Sequence, residues 1–248
     1  MDHVRTPPGT GEPTTYPSVT SDDPDPIRSA IDARGAGTSP MSRLGAALAR
    51  SLFGGAPAIL RVGNTVVAPP SEAFAAMSRV LPHEPYRLLL HDHAGGHPVT
   101  DGGVLIFRMP PLEDVALRAF MFHVRLKAVF IDRLYLRLRV SPAPAAASEL
   151  EVAADLGREM RIAARWFLPI YVASGAGIGA GLAAFGTAAL GGGPSRALLG
   201  ATIGATAGAG ALAWAGRRAI LRARQQLEGL LAAVASAITT APSGGPAG

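Results

Sequence analysis

Histidine is the residue whose type and spacing in this sequence come nearest to reactive chemistry. Four of the six histidines fall between His83 and His97, and His91, His93 and His97 form an H-x-H-x-x-x-H series. Imidazole nitrogens at such spacing can bind zinc, with a carboxylate or water completing the shell. The series matches no known zinc signature and sits in a Gly-rich stretch, so an exposed turn is the preferred interpretation. The absence of cysteine excludes disulfides and thiolate ligands.

A second candidate site is a glycine-rich stretch whose spacing is similar to that of a nucleotide-binding motif. A G-x-G-x-x-A series over residues 175–180 follows the apolar run at 170–174, and it resembles the dinucleotide-binding fingerprint of Rossmann enzymes. That fingerprint also needs an acidic residue about 20 positions later to hold the ribose. No Asp or Glu occurs between Glu159 and Glu228. The sequence therefore predicts no catalytic residue and no cofactor, and the glycines need another explanation.

Helical spacing supplies that explanation, because most of these glycines recur every four residues and so share a helix face. Glycine at this spacing lets two helix backbones approach closely, which suits packing in a membrane. The stretch from about residue 175 to 210 resembles the glycine-zipper pattern of several unrelated membrane proteins. The predicted helix-packing residues are Gly175, Gly177, Gly179, Gly181, Gly200, Gly204 and Gly208.

The glycines lie in a long stretch almost without charge. From Trp166 to Gly216, Arg196 is the one charged residue. A bilayer core of about 30 Å needs roughly 20 helical residues, so segments 167–190 and 197–214 can each cross it, the second only just. The Gly-Gly-Gly-Pro sequence between them predicts a tight turn. A transmembrane hairpin is therefore expected, although Ala and Gly make insertion marginal, and burial in the core of a soluble protein is the alternative.

Arginine flanks the predicted hairpin on both sides. Cytoplasmic ends of membrane helices are enriched in Lys and Arg, so both termini are expected in the cytoplasm and the hairpin in the plasma (inner) membrane. The flanking residues are Arg158, Arg161 and Arg165 before the hairpin, and Arg217, Arg218, Arg222 and Arg224 after it.

Ahead of the hairpin the apolar pattern changes to period two, which predicts a β-rich domain over residues 56–142. The expected elements are strands at 58–62 and 65–68 joined by a Gly63-Asn64 turn, a helix from Ser71 to Val80, and strands at 86–91 and 104–109. Alternation from Phe120 to Val140 predicts one or two further long strands, broken at Asp132.

The polar face of that alternation is cationic. Three interpretations stay open: a solvated sheet face, which is the commonest, a surface for anionic lipid headgroups, and a nucleic-acid surface, which is disfavoured because interleaved aromatic residues are scarce. No nucleic-acid partner is therefore predicted. The predicted lipid-contact residues are Arg125, Lys127, Arg133, Arg137 and Arg139, with Arg217 and Arg218 beside the hairpin.

The complete prediction is an α+β architecture, in which a β-rich soluble domain precedes a glycine-rich two-helix transmembrane hairpin. The expected segments are a disordered tail (1–40), a short amphipathic helix (41–55), the cytoplasmic domain (56–142), a linker with an amphipathic helix (143–166), the hairpin (167–216), a second amphipathic helix (217–240) and a disordered tail (241–248). Low hydrophobicity predicts disorder in the first tail.

Three functional hypotheses follow from this organisation. The first is a non-enzymatic, membrane-anchored interaction or scaffold protein, with the bilayer as a partner, that forms homo-oligomers through Gly200, Gly204 and Gly208. The second is a pore-forming or membrane-perturbing effector with a conditionally inserting hairpin, whose Ala/Gly-rich composition is similar to that of colicin-type hairpins. The third is a metal-dependent enzyme that uses His91, His93 and His97.

Overall fold

A five-stranded antiparallel sheet and two long C-terminal helices make up an α+β fold. The computed structural model describes residues 25–34, 59–129, 131–140, 147–190 and 194–240. The elements are α1 (Pro26–Arg34), β1 (Ile59–Val66), α2 (Pro70–Val80), β2 (Leu89–Ala94), β3 (Val104–Arg108), a 3-10 turn (Leu112–Asp114), α3 (Leu117–Lys127), β4 (Arg133–Val140), β5 (Ser148–Asp155), α4 (Gly157–Leu190) and α5 (Pro194–Thr239).

The sheet has the strand order β1-β5-β4-β3-β2, so β2 to β5 form a meander and β1 adds to its outer edge. Arg108 pairs with Arg133, and Ile59 pairs with Asp155. The starts of β1, β2 and β4 and the ends of β3 and β5 therefore lie at the same end of the sheet. We call this the Asp155 end, and α4 departs from it two residues after β5.

The main core lies between one face of the sheet and the helices α2, α3 and α5. On β4, Leu134, Leu136 and Leu138 face this core, as the period-two pattern predicts. Helix α5 contributes a stripe of buried apolar residues to the same core. These residues are three or four positions apart, which places them on one face of the helix. The stripe consists of Ala223, Leu227, Leu230, Leu231 and Val234.

Helix α1 covers the centre of the opposite face of the sheet. Ile27, Ala30 and Ile31 are buried there against an apolar patch that includes Ile106 and Tyr135. The prediction of disorder over residues 1–40 is therefore wrong for Pro26–Arg34, because three apolar side chains on one side of a nine-residue helix find a partner surface that the local sequence does not reveal.

Two elements differ in type from their predictions. The expected strand from Phe120 onward is helix α3, whose buried residues Ala119, Phe122, His123 and Leu126 have helical spacing. A stretch this short can fit both the two-residue repeat of a strand and the repeat of about 3.6 residues of a helix. Packing of the buried residues in the main core selects the helix.

The linker and amphipathic helix expected over 143–166 are also wrong in part. Residues Ser148–Asp155 form strand β5, in which Leu150, Val152 and Ala154 are buried on the core side. β5 lies between β1 and β4, so it completes the sheet, and its acidic residues lie on the opposite face from the core.

Two predicted boundaries also change. β1 runs through Gly63 and Asn64 as one strand paired along its length with β5, so the predicted tight turn is wrong. Residues 217–239 are not a separate surface helix, since they continue α5, and their apolar stripe is buried in the core. The helix over Ser71–Val80 and the strand from Val104 are confirmed. The segments predicted at 41–55 and 241–248 lie outside the described residues.

Candidate functional site

The two C-terminal helices pack against each other through glycine. A Cβ atom added at Gly175 or Gly179 would lie well inside 3.0 Å of a backbone oxygen of α5, at Gly204 and Gly200 respectively. Gly208 meets the backbone of Tyr171 in the same way. Residue numbers fall along α5 as they rise along α4, so the helices are antiparallel and their backbones touch.

The predicted helix-packing glycines divide into two groups. Gly175, Gly179, Gly200, Gly204 and Gly208 form the contact between α4 and α5. A Cβ atom at Gly177 or Gly181 would meet nothing within 4 Å among the described residues. In the sequence, the pairs Gly175/Gly179 and Gly177/Gly181 of α4 have the same four-residue spacing. The structure shows that the first pair contacts α5 and the second does not.

Away from this contact the helices expose apolar side chains. On α4, Ile178, Leu182 and Phe185 are 65–79% exposed. On α5, Leu198 and Ile203 are 71% and 61% exposed. A monomer in water seldom carries an apolar surface of this extent.

One helical segment of the described chain, Leu198–Thr239, is long and apolar enough to cross a membrane by length and composition. Its qualifying 18-residue window has a mean hydropathy of 1.4, and 6% of that window is buried. A core helix of a soluble protein would be mostly buried, so this 18-residue window is not packed inside the sheet domain, whereas the C-terminal part of the segment is. A shorter apolar segment, Pro169–Phe185, occurs on α4.

The hydroxyl groups in the apolar half of α5 bond within the helix. The hydroxyl groups of Thr202 and Thr206 donate to the carbonyl oxygens of Leu198 and Thr202, each at 2.9 Å. Such bonds to the preceding turn satisfy a hydroxyl group without water. Past this half, the guanidinium carbon of Arg218 lies 5.2 Å from the centre of the Trp214 ring.

An apolar groove of about 700 Å³ follows the glycine contact along one side of the helix pair. Ile178 and Leu182 of α4 and Ile203 and Ala207 of α5 are among its lining residues. Glycine makes the groove because it leaves a gap between larger neighbours on both helices. Such a lining favours hydrocarbon and provides little to orient a polar substrate.

The predicted cationic face is not assembled as one surface. Arg125 and Lys127 lie on α3, whereas Arg133, Arg137 and Arg139 lie on the α1 side of β4. There, Arg137 is opposite Glu151 and Arg139 is opposite Glu149 on β5. The Nε of Arg137 also donates to the Gly102 carbonyl at 3.1 Å. Opposite charges therefore alternate across this part of the sheet.

The histidine series is not gathered around one point. His91 sits at a bulge of β2 between Leu90 and Asp92, where the pairing register shifts. The ring Nδ1 of His97 accepts a hydrogen bond from the Val99 N–H at 3.2 Å. Across the parts of the chain that the structure describes, no three His, Cys, Asp or Glu residues are placed to hold a metal ion.

The alternation from Phe120 to Val140 predicts His123 on the polar face of a strand, but the structure buries it on a helix. His123 of α3 is fully buried, and neither ring nitrogen has a hydrogen-bond partner within the described residues. Burial lowers the pKa of His123. The Tyr86 backbone raises this pKa in part, and the positive charges of Lys127 and Arg87 lower it. The helical spacing of Ala119, Phe122 and Leu126 was the signal for its position.

Comparisons with protein families, with curated proteins and with solved structures find no match to this chain. The arguments about function below therefore use the residues and geometry of the chain alone.

Proposed function

We propose that this chain is a membrane-anchored interaction protein, in which α4 and the first half of α5 cross the bilayer as a glycine-packed hairpin. The exposed apolar surface of the helix pair carries the proposal. Seven large apolar side chains of the pair are 57–79% exposed: Ile170, Ile178, Leu182, Phe185, Leu198, Leu199 and Ile203. Full burial of one such side chain gains roughly 1.5–3 kcal/mol, so removing the exposed part of all seven from water gains on the order of 10 kcal/mol. The whole stability of a domain is about 5–15 kcal/mol, so exposure of this surface to water is a large cost.

The boundaries of the apolar surface also support insertion. On α5 it extends from Leu198 to Trp214, and the exposed Arg217 and Arg218 follow directly. Tryptophan and arginine are typical of the boundary between hydrocarbon and headgroups. Arg224 forms an exposed ion pair with Glu228 at 2.9 Å. These two residues lie about 9 and 15 Å further along the helix than Arg218, at about 1.5 Å per residue. Charged residues thus continue from Arg217 to the part of the helix that enters the sheet domain.

A continuous helix gives the anchor a mechanical role. The same α5 that passes the glycine contact at Gly200 contributes Leu227 and Leu230 to the core of the sheet domain. Motion between anchor and domain would break helical hydrogen bonds or expose core side chains. The proposed protein therefore holds its sheet domain at a fixed distance from the bilayer, where a partner protein can bind it.

Self-association through Gly200, Gly204 and Gly208 stays a prediction. In the single chain these glycines already contact α4, so use of the same face between copies would require α4 to move aside. Cross-linking of the full chain in membranes tests this, with Gly204→Leu as the variant and Gly181→Leu as the control. Loss of cross-linked dimers in the first alone supports the prediction, and unchanged dimers in both reject it.

Fractionation with an alkaline carbonate wash tests the anchor itself. We expect the full chain to remain with the membrane pellet. Recovery of a monomer from the wash without detergent would contradict the proposal. Dye release from liposomes distinguishes an anchor from the pore-forming alternative, because an anchor leaves the vesicles sealed.

Accessibility of single cysteines tests the orientation, and the chain has no cysteine of its own. We expect a membrane-impermeant thiol reagent to label Ser195→Cys, at the start of α5, from outside the cell. Ser236→Cys should react only after lysis. The opposite result would place both termini outside, against the arginine distribution.

A further inference from the structure

We propose that the outward face of α3 rests on the headgroups of an anionic bilayer. This inference depends on the proposed insertion of α4 and α5, since that insertion decides which part of the sheet domain lies near the lipid. Its occupant is a lipid surface. Three of the observations below carry the inference, and the fourth sets a condition on it.

The first observation is exposure. Leu117 is 89% exposed, Met121 is 54% exposed and Phe120 is 39% exposed, whereas Phe122 and Leu126 of the same helix are buried in the core. Leu117 and Met121 are four residues apart and so share one stripe. Isolated exposed apolar residues are ordinary, but three on an 11-residue helix form a patch.

The second observation is charge. Helix α3 carries Arg118, Arg125 and Lys127 and no acidic residue. Arg87 lies close enough to act electrostatically on His123 of α3, and the 3-10 turn packed against α3 carries Glu113 and Asp114. On α3 and these neighbours there are therefore four cations and two acids. Apolar side chains flanked by cations are the composition with which amphipathic helices bind anionic interfaces.

The third observation is position. α3 connects the end of β3 to the start of β4, and both lie at the Asp155 end, from which α4 departs. α3 packs chiefly against α5 and the 3-10 turn. It therefore closes the core at the end that faces the bilayer if α4 and α5 are inserted.

The fourth observation is distance, which sets a condition. Phe122 packs at 5.0 Å from the Tyr86 ring, whose hydroxyl group lies 3.4 Å from the Gly229 carbonyl oxygen. Gly229 is about 16 Å along α5 beyond Arg218, at about 1.5 Å per residue. The headgroup layer is about 5–8 Å thick. Contact therefore requires the helix pair to lean toward α3. With helix axes about 10 Å apart, a tilt of about 35–40° brings α3 into this layer, which is the upper end of the range for membrane helices.

A second copy of this chain is a poorer occupant of the same face. Two copies would bring Arg118, Arg125 and Lys127 together with their own equivalents, and like charges repel. Anionic headgroups complement this charge and accept the apolar side chains between them.

Single-cysteine labelling of the full chain tests the contact. Leu117→Cys, Val67→Cys and Phe185→Cys each carry a polarity-sensitive fluorophore, in vesicles of phosphatidylcholine with or without phosphatidylglycerol. Val67 is 82% exposed and directly follows Val66, which pairs with Ser148 at the opposite end of the sheet, so it is the matched control. We expect the Leu117 probe to be several-fold better shielded from iodide than the Val67 probe when phosphatidylglycerol is present.

Each outcome decides one of the two proposals. A Phe185 probe open to iodide would overturn the insertion itself. A shielded Phe185 probe with equal quenching at Leu117 and Val67 would overturn the α3 contact and leave the insertion standing. Shielding that does not depend on phosphatidylglycerol, or that rises with protein density, would overturn the assignment to anionic lipid.

Charge substitutions provide a second readout that does not rely on a label at the contact itself. We expect Arg118→Gln with Arg125→Gln to remove the phosphatidylglycerol dependence of Leu117 shielding. Arg139→Gln is the control, because Arg139 is opposite Glu149 and lies toward the far end of β4. Equal effects of the two changes would contradict a specific α3 contact.

Discussion

Gly175 and Gly204 face each other so closely that a Cβ atom on either would lie well inside 3.0 Å of the other's carbonyl oxygen. Two helix backbones can approach in this way only where neither carries a side chain. The close approach gains dispersion energy and weak Cα–H···O contacts, which are the main attractions available to helices in lipid.

Gly204→Ala is expected to destabilise the helix pair by about 1–3 kcal/mol, since the added methyl group must push the backbones apart. Gly181→Ala is the matched control, because its Cβ would meet open space. It should be neutral or stabilise the helix by roughly 0.5–1 kcal/mol through reduced chain entropy. Resistance of the two variants to denaturant in detergent measures the difference, and equal destabilisation would refute the glycine contact.

Ile203→Arg is expected to reduce membrane insertion, at a cost of about 2.5–3.5 kcal/mol near the centre of a span. This is large for a helix whose Ala and Gly content makes insertion marginal. Leu221→Arg is the control, since Leu221 is 60% exposed against 61% for Ile203 but lies beyond Arg218. Carbonate fractionation reads the result, and equal membrane retention by both variants would argue against insertion of α5.

Acid is expected to destabilise the sheet domain through His123. Burial lowers the pKa of His123 below its value in the unfolded chain, about 6.5. Below that pH the unfolded chain binds more protons, so the stabilisation by the neutral ring is present above about pH 6.5 and is lost as the pH falls through the folded pKa. Arg87 and Lys127 add to the effect, since both are positive beside the ring.

Urea unfolding of the full chain in detergent at about pH 7 and about pH 5 measures this dependence. His123→Leu should flatten the change in the free energy of unfolding between the two values. His93→Gln, which alters an exposed histidine of β2, should leave the change as it is in the parent protein. If the free energy of unfolding changes with pH in His123→Leu as it does in the parent protein, the acid sensitivity comes from other groups.

Arg61→Gln is expected to loosen α1. Arg61 donates to Asp25 at 2.7 Å and to Glu151 at 3.0 Å, and so joins the start of α1 to two strands. Burial raises the pKa of Asp25, but the Arg61 hydrogen bond, the Arg28 N–H and their charges together lower it. The ion pairs are partly exposed, so the loss should be about 1 kcal/mol or less.

Hydrogen exchange of the α1 amides is the measurement, with several-fold faster exchange expected in Arg61→Gln. Arg28→Gln is the control, because it removes a nearby positive charge and an exposed pairing with Asp32 at 3.8 Å but keeps the Arg28 N–H bond to Asp25 and the Arg61 ion pairs. The contribution of Asp25 is present above about pH 3.9 and is lost as the pH falls through its lower folded pKa. Unchanged exchange in Arg61→Gln at neutral pH would remove this ion pair from the docking of α1.

The sequence by itself determined the features that depend on composition and local spacing. Absence of charge from Trp166 to Gly216, apart from Arg196, fixes where apolar helices can form. Glycine at every fourth residue fixes which helix face another helix can approach closely. The alternation from Leu134 to Leu138 likewise fixed one strand and its core side. These features are local, because each follows from the repeat of a helix or a strand.

The tertiary structure alone decided the features in which two distant segments compete for one partner. Residues 120–127 carry both a strand and a helix repeat, and α5 packing against Phe122 and Leu126 selects the helix. Gly179 and Gly181 each follow another glycine by four residues, so the sequence does not distinguish them. The register of the two helices decides that Gly179 contacts Gly200. Burial free energy is gained between surfaces far apart in the chain, so no local repeat can choose between them.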